Sequence, residues 1–319
     1  MTYKELGNTG IKLSDVILGC WAMGNDYFSG QEDLDSTAAI NAALENDINT
    51  FDTAYCYGRG HSEEVLGKAL KGKREDCVVI SKLWKTFMEK DAALKACDDS
   101  LKRLQTDYMD VYFIHYPSDT GVPIGETMEA MNKMKEQGKI RAIGLSNFSL
   151  AQMKEAMQYG QIDVIQPCYS LLWRFIDRDI LPFCIENNIG VVTYSSLAQG
   201  MLTGAIKEDT VLEDGRSHAP LFLPQWRKGC LEITDALKPI GEKYGMTQAQ
   251  VALNWVIRAK GITSALVGGR NAKEVVENAK AVNFTMTDEE FNMLNEMSKK
   301  FTGQLPNYKT FFDGTIVED

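Results

Sequence analysis

The chain has 319 residues, of which 44% are hydrophobic and 24% are charged, and its formal net charge is −10 at pH 7. This composition is typical of a globular protein, and the length suits either two average domains or one α/β barrel. The acidic balance argues against nucleic acid or an anionic membrane as the main partner, although it leaves room for a local basic pocket.

Targeting signals and metal or disulfide patterns are missing from the sequence. Residues 1–7 lack the apolar core of a signal peptide, and no stretch reaches the roughly 20 apolar residues of a membrane span. Seven cysteines are scattered along the chain without a Cys-x-x-Cys pair or a Cys/His cluster. We therefore expect a cytoplasmic protein with reduced thiols, no metal site and no membrane partner.

The chain begins with a predicted β-hairpin, in which residues 3–6 and 11–13 flank a turn rich in glycine. After it, short apolar or β-branched runs alternate with longer segments of helical periodicity. The predicted strands are 16–19, 50–53, 77–82, 109–115, 140–146, 164–167, 190–194 and 264–268. The predicted helices that follow them are 34–46, 62–70, 91–104, 124–137, 149–159, 176–187, 231–244 and 272–281.

Eight strand–helix units predict an α/β fold, the closed (β/α)8 TIM barrel, formed by residues 1–319 as a single domain. Several strands are apolar on both faces, as parallel strands covered by helices are. A doubly wound sheet is the alternative. That fold usually carries a Gly-x-Gly-x-x-Gly turn after its first strand, and Gly19-Cys-Trp-Ala-Met-Gly24 has a different spacing.

Further segments depart from strict alternation. A long connection punctuated by glycine and proline, residues 198–226, separates the seventh strand from its helix, and loops of this length are usually lids or binding loops. Extra helices are predicted at 247–260 and 288–300, and the tail 301–319 is expected to cross one barrel face as an ordered loop. Ser62 and Ser149 are candidate N-cap residues for the helices that they begin.

Polar residues gather where the predicted strands end, which is the catalytic face of such a barrel. Asp52, Lys82 and His115 end the second, third and fourth strands. Tyr57 lies five residues past Asp52, on the loop after the second strand. Taken singly, each has a structural explanation, such as a capping carboxylate or a packed histidine. An acid, an ammonium, a phenol and an imidazole at one face are a stronger signal. Three further polar residues close the next strands: Asn147, Gln166 and Tyr194.

The acid, the ammonium, the phenol and the imidazole together predict proton transfer to or from a reacting oxygen. A tyrosine hydroxyl has a reference pKa of about 10, and a nearby ammonium held by a carboxylate favours the phenolate. A histidine on the other side can orient a carbonyl oxygen. The set therefore suits carbonyl reduction, or alcohol oxidation in reverse, with Tyr57 as general acid or base.

At these positions the sequence resembles the aldo-keto reductase superfamily, from residue 3 to about residue 281. The most specific segments are Phe51-Asp-Thr-Ala-Tyr-Cys-Tyr-Gly58, Asp107-Tyr-Met-Asp-Val-Tyr-Phe-Ile-His115, Gly144-Leu-Ser-Asn-Phe148 and Tyr194-Ser-Ser-Leu-Ala-Gln-Gly200. The resemblance implies a barrel that holds NADP(H), or less often NAD(H). It also implies that the family's four catalytic positions fall on Asp52, Tyr57, Lys82 and His115.

The same resemblance assigns candidate cofactor residues. It implies that Ser146, Asn147 and Gln166 bond the carboxamide, that Tyr194 stacks on the nicotinamide ring, and that residues 198–226 cover the cofactor. The candidate pyrophosphate residues are Ser195, Leu197, Gln199 and Gly200. The candidate adenosine residues are Gly268, Arg270, Glu274, Glu277 and Asn278. Further cofactor contacts are expected at Gly19, Cys20, Trp21 and Asp52.

The choice between the two cofactors depends on Glu274 and Arg270. A carboxylate repels a 2′-phosphate and bonds a free ribose hydroxyl, whereas a guanidinium suits phosphate. We expect NADP(H), with NAD possible. The predicted substrate pocket contains Trp21, Tyr27, Tyr57, Trp84, His115 and Tyr116. Trp173 fits a pocket position and a packing position equally.

The expected substrates are small aldehydes, ketones or sugars. Two alternatives stay open. The first is a sugar or polyol dehydrogenase that works oxidatively with NAD, since the same four residues serve both directions. The second is a cofactor-binding regulatory protein like the potassium-channel β subunits that resemble this family. The sequence contains no signal for the oligomeric state.

Overall fold

Eight parallel strands close into a barrel in the computed structural model, which describes residues 1–26 and 32–316. Pairing of Ala265 with Val16 joins the last strand to the first and closes the ring. The predicted (β/α)8 barrel is therefore confirmed. The barrel strands are β3 (Val16–Gly19), β4 (Thr50–Asp52), β5 (Val78–Leu83), β6 (Met109–Ile114), β7 (Ile140–Ser146), β8 (Val164–Gln166), β9 (Gly190–Thr193) and β10 (Ser264–Gly268).

Helices surround the barrel, and none within the described residues has the length and apolar character that crossing a membrane requires. Their outer faces are polar, and their inner faces pack on the strands through one extended cluster of buried side chains. The helices are α1 (Asp33–Glu45), α2 (His61–Ala69), α3 (Lys90–Leu104), α4 (Ile124–Glu136), α5 (Leu150–Ala156), α6 (Ile180–Glu186), α7 (Pro224–Tyr244), α8 (Gln248–Arg258), α9 (Ala272–Ala279) and α10 (Asp288–Thr302).

The predicted N-terminal hairpin is present as β1 (Tyr3–Glu5) and β2 (Lys12–Ser14). Its apolar residues Leu6, Ile11 and Leu13 are buried with the inward-facing side chains of the barrel. Ser14 bonds residues at the amino ends of two strands, because its N–H donates to Asn49 before β4 and its carbonyl accepts from Ser264 in β10. The hairpin therefore closes the barrel at the amino ends of the strands. The opposite end, which we call the barrel mouth, is left for the polar residues.

The two predicted helix caps have different outcomes. Ser149 caps α5 as expected, since its hydroxyl accepts from the Gln152 N–H while the Gln152 side chain accepts from the Ser149 N–H. Ser62 does not cap α2. Its hydroxyl lies 2.8 Å from both the Cys20 carbonyl and the Thr53 hydroxyl, so it joins the ends of β3 and β4 instead.

Three predicted segments differ from the structure. Helix α7 begins at Pro224, not at residue 231, because a proline in the first helical turn loses no hydrogen bond there. The predicted helix 176–187 divides into a short 3-10 helix, Phe175–Asp177, and α6. The tail is not a plain loop, since β11 (Tyr308–Thr310) and β12 (Asp313–Ile316) pair as an antiparallel hairpin. Two short strands carry too little pattern to be recognised in the sequence.

The loops that follow β3 and β4 touch backbone to backbone. Gly58 has φ +64°, and a Cβ placed on it would lie 2.2 Å from the carbonyl oxygen of Gly24. A Cβ on Gly24 would lie 2.5 Å from the carbonyl carbon of Tyr57. Only glycine permits this approach, and the contact fixes the backbone on which Tyr57 sits.

The Gly58→Ala variant is expected to be much less stable than a matched glycine variant without the contact. Gly121 has φ +82° and an open surrounding, so Gly121→Ala introduces the left-handed strain alone, about 1 kcal/mol. Gly58→Ala adds an overlap with backbone, and we expect about 1–3 kcal/mol more. Urea unfolding of both variants measures the difference. Equal losses would show that the loops separate at little cost.

Candidate active site

Lys82 lies at the centre of the barrel mouth and is completely buried. Its ammonium donates to Asp52 Oδ1 at 2.5 Å, to the Thr53 carbonyl at 2.9 Å and to the Tyr57 hydroxyl at 3.3 Å. A buried ammonium is tolerated only when its donors are paired. These three contacts use its three N–H groups, so the end of β5 is tied to β4 and to the loop beyond it.

Asp52 ends β4 and is 1% exposed. One carboxylate oxygen accepts from Lys82, and the other accepts from Gln166 Nε2 at 2.7 Å. Gln166 ends β8, on the far side of the barrel. The carboxylate is therefore held from two sides, which fixes the position of the ammonium as well.

Tyr57 is half-buried on the loop after β4, with its hydroxyl facing Lys82. Burial raises the pKa of the phenol well above 10, and the nearby Asp52 carboxylate raises it further. The expected effect of the ammonium, which favours the phenolate, is therefore outweighed by burial and by Asp52, and the net shift of the pKa is upward. The phenol stays protonated through neutral pH, which makes it a proton donor.

His115 follows β6 and is 8% exposed. Tyr116 stacks against the imidazole at 5.0 Å and 29°, and Trp84 meets it edge-on at 5.5 Å. Burial lowers the pKa of His115 well below 6.5, and the Lys82 ammonium lowers it further. The imidazole is therefore neutral at pH 7, and the Cys56 sulfur lies 3.5 Å from its Nδ1.

Hydrogen bonds connect the predicted carboxamide residues with one another. Asn147 donates to the Ser146 hydroxyl and to the His115 carbonyl, both at 3.0 Å, and accepts from the Tyr194 hydroxyl at 2.7 Å. The Ser146 hydroxyl in turn donates to the Gln166 carbonyl at 2.9 Å. The ends of β6, β7, β8 and β9 are thereby joined, and these four residues lie together at the mouth as predicted.

The loop after β9 has unusual backbone angles. Ser195, Ala198 and Gln199 have φ values of 52°, 49° and 52°, in a region that costs a residue with a side chain roughly 1–2 kcal/mol. Such strain is found mostly at ligand clamps and switches. Both polar atoms of the Gln199 amide are buried without a partner within the part of the chain that the structure describes.

Arg216 is a candidate cofactor residue that the sequence analysis missed. Its Nη1 donates to the Gln199 carbonyl at 3.2 Å, and its guanidinium also pairs with Asp214. It lies inside the long connection 198–226, as part of the short 3-10 helix Gly215–His218. Arg216 could have been predicted from the sequence, because it is a basic residue in a loop assigned to cover an anionic cofactor.

The candidate adenosine site begins α9. Asn271 caps this helix by accepting from the Glu274 N–H, and Glu274 accepts from the Arg270 guanidinium at 2.7 Å and from its backbone N–H at 3.0 Å. Asn278 donates to the Gly268 carbonyl at 3.0 Å, and Glu277 accepts from Gln250 and Lys280. Arg270 and Glu274 therefore partly neutralise each other.

Aromatic rings line the mouth. Trp21 stacks on Tyr57 at 6.1 Å and 28°, and Trp84 contacts Tyr116 edge-on at 6.0 Å. Phe312, in the turn of the tail hairpin, lies 6.1 Å from the Tyr194 ring at an interplanar angle of 6° and 5.8 Å from Trp21. Phe312 was not predicted, because the tail shows no periodicity that would place it over the mouth.

Neighbouring residues pack closely around three of the residues considered in the sequence analysis. The Cys20 thiol is completely buried and points toward the Leu18 carbonyl, and Gly19 lies in the barrel wall against Leu266. Trp173 is buried among Phe175, Tyr308 and Phe311, so it is a packing residue. Tyr27 lies outside the described residues. Within residues 1–26 and 32–316, no group of three His, Cys, Asp or Glu side chains is arranged to hold a metal ion.

Comparison with known proteins assigns the family. Residues 15–299 match the model of the Aldo/keto reductase family, which includes the whole barrel. The chain belongs to the aldo/keto reductase family. The resemblance seen in the sequence motifs is therefore confirmed, and the mouth described above is the place where this fold carries its chemistry.

Three relatives illustrate the range of activities in this family. An NADH-specific methylglyoxal reductase of Escherichia coli is 35% identical, over 92% of this chain and 97% of that protein. The glycerol dehydrogenase AKR11B4 of Gluconobacter oxydans has a TM-score of 0.87 at 31% identity, covering 99% of both chains. An aldo/keto reductase of Klebsiella pneumoniae in complex with NADP and acetate has a TM-score of 0.77 at 31% identity, covering 98% of both chains.

The Lys82→Met variant is expected to lose about 3–5 kcal/mol of unfolding free energy, because it leaves the Asp52 carboxylate buried and without its ammonium. Lys102→Met is the matched control. Lys102 pairs with Asp99 at the surface, where its side chain is 77% exposed, so we expect a change of about 0.5 kcal/mol or less.

Urea unfolding compares both variants with the double variant Asp52→Asn/Lys82→Met, which should recover part of the loss. Similar losses for Lys82→Met and Lys102→Met would contradict the central role of the buried pair.

Proposed function

We infer that this protein is an NADP(H)-dependent oxidoreductase, with NAD(H) as the alternative cofactor, that reduces aldehydes, ketones or sugar carbonyls. The observation that supports this most directly is the 3.3 Å contact between the Lys82 ammonium and the Tyr57 hydroxyl, beside a neutral His115. A phenol that stays protonated at neutral pH is suited to donating a proton to an oxygen as its carbonyl is reduced.

The residues of this chain handle the proton and the carbonyl oxygen, and the nicotinamide cofactor, when bound, supplies the hydride. His115 orients the carbonyl oxygen by a hydrogen bond. Tyr57 gives its proton to the oxygen as negative charge develops there, and Lys82 stabilises the phenolate that remains. Asp52 holds the ammonium in place throughout.

The residues that would hold the cofactor fit a dinucleotide. The buried amide of Gln199 has no partner in the described chain, the backbone around it is strained, and Arg216 lies beside it. We assign this loop to the pyrophosphate, whose oxygens accept hydrogen bonds from such donors. Tyr194 is assigned to the nicotinamide ring and the amino end of α9 to the adenosine phosphate.

Polyol oxidation is a second candidate, because the Gluconobacter glycerol dehydrogenase matches nearly the full length of this chain. The same four residues serve this reaction in reverse, with Tyr57 accepting the proton. Because its pKa is raised, Tyr57 is protonated near neutral pH, which is the form that the reductive direction requires. Comparing turnover of glycerol and of matched aldehydes at pH 7 with both cofactors separates the two activities. If the protein turns over neither glycerol nor the aldehydes, that result would favour a regulatory, cofactor-binding role.

The Tyr57→Phe variant is expected to lose about 100-fold to 10,000-fold in kcat for carbonyl reduction, because it removes the proton donor and leaves the ring in place. Tyr159→Phe, which changes a half-exposed tyrosine far from the mouth, is the control and should be indistinguishable from the wild type. Steady-state kinetics and cofactor titration are measured on both. Full turnover by Tyr57→Phe would refute the assignment of the proton donor.

The Glu274→Gln variant is expected to lower the Kd of NADPH by about tenfold, since it removes a carboxylate that neutralises Arg270 and repels a 2′-phosphate. NADH, which lacks that phosphate, should bind no better. Glu296→Gln, another helical glutamate in a surface ion pair, is the control. Fluorescence titration gives all the Kd values. A wild type that prefers NADH would contradict the choice of NADP(H).

A further inference from the structure

Among the described residues, the His115 ring makes one hydrogen-bond contact, and its partner is a thiol. Cys56 Sγ lies 3.5 Å from His115 Nδ1, within hydrogen-bond range for sulfur. No residue in the described part of the chain bonds the other nitrogen, Nε2. Nε2 is therefore the nitrogen left to meet a substrate oxygen.

The direction of the thiol contact decides what Nε2 can do. A neutral imidazole carries one proton, on either Nδ1 or Nε2, and the nitrogen without it accepts. If the thiol donates to Nδ1, the proton must be on Nε2, which can then donate to a carbonyl oxygen. If Nδ1 donates to sulfur, Nε2 carries a lone pair and cannot polarise a carbonyl.

We propose that Cys56 is a positioning residue that donates its S–H to His115 Nδ1 and so keeps the imidazole proton on Nε2, facing the substrate carbonyl. This inference rests on the proposed carbonyl chemistry, in which a donor at Nε2 orients the reacting oxygen. Cys56 itself touches neither the reacting oxygen nor the cofactor in this assignment.

The surroundings of both groups support this direction. Burial raises the pKa of the Cys56 thiol to about 12, so the sulfur keeps its hydrogen at neutral pH and has one to donate. The imidazole is neutral, because burial and then Lys82 lower its pKa. Imidazole nitrogen is also a better acceptor than sulfur, which is a weak acceptor in proteins.

Different contacts fix the plane of the ring and the position of its proton. Tyr116 and Trp84 both pack against the imidazole, and Asn147 bonds the His115 carbonyl. These contacts orient the ring and do not distinguish its two nitrogens. The thiol is the contact in the described residues that distinguishes them.

The test is the tautomer of His115, read from 15N chemical shifts and long-range 1H–15N couplings in protein labelled with 15N-histidine at pH 7. The chain has only three histidines. The signals are assigned by replacing His61 and His218 with asparagine in turn. In the wild type, we expect the proton of His115 on Nε2. A proton on Nδ1 would overturn the proposal whether or not the protein reduces carbonyls.

Two variants that differ by one oxygen atom separate hydrogen bonding from packing. Cys56→Ala removes the donor, and we expect the Nε2–H to Nδ1–H ratio to fall about threefold or more, as loss of a weak hydrogen bond predicts. Cys56→Ser keeps an O–H donor and should restore the wild-type ratio. An unchanged ratio in Cys56→Ala, or equal ratios in the two variants, would overturn the proposal.

Kinetics then connects the tautomer with the reaction. We expect kcat for carbonyl reduction to fall in Cys56→Ala in proportion to the fraction of His115 that loses its Nε2 proton, with recovery in Cys56→Ser and no change in the Kd of the cofactor. If the Nε2–H fraction falls in Cys56→Ala but kcat does not follow it, the thiol still orients the imidazole proton while the assigned role of His115 in catalysis fails.

Discussion

The buried ion pair between Lys82 and Asp52 is the constraint on which the mouth of this barrel depends. An ammonium without water costs several kcal/mol unless each of its donors is paired, and Lys82 meets that condition with Asp52, the Thr53 carbonyl and the Tyr57 hydroxyl. Asp52 and the Thr53 carbonyl pair two of the three N–H groups of the ammonium. The need to pair the third N–H holds the Tyr57 hydroxyl beside Lys82. The position of the Tyr57 hydroxyl is thus set by the burial of the lysine.

The rest of the mouth is connected to this pair through side chains that bridge strand ends. Gln166 joins Asp52 to the carboxyl end of β8, Ser146 joins β7 to β8, and Asn147 joins the His115 backbone to the Tyr194 hydroxyl. Strand ends of a barrel have few backbone partners beyond the last ladder bond, so these side chains supply the bonds that order them. The residues assigned to the cofactor and those assigned to the proton therefore belong to one network.

The sequence was sufficient to predict the barrel and the position of four polar residues at its mouth, because strand–helix alternation and strand-end positions are local patterns. Other features depend on contacts that no local pattern contains. Ser62 lies in a cap-like position but bonds Cys20, and Phe312 reaches Tyr194 from a tail without periodicity. The net rise in the pKa of Tyr57 was not predicted, because the sequence places a lysine near the phenol but does not show that burial outweighs it. Cys56 meets His115 only because two loops converge.

Burial favours the neutral form of both Tyr57 and His115, although it shifts their pKa values in opposite directions. It raises the pKa of the phenol and lowers that of the imidazole, so both are neutral at pH 7. A neutral phenol is a donor, and a neutral imidazole donates from Nε2 only in the tautomer whose Nδ1 carries no proton. Two neutral donors stabilise an oxygen that gains negative charge during the reaction. They attract a ligand that is already anionic less strongly than charged donors would. A mouth of this kind is better suited to forming an alkoxide than to binding an anion.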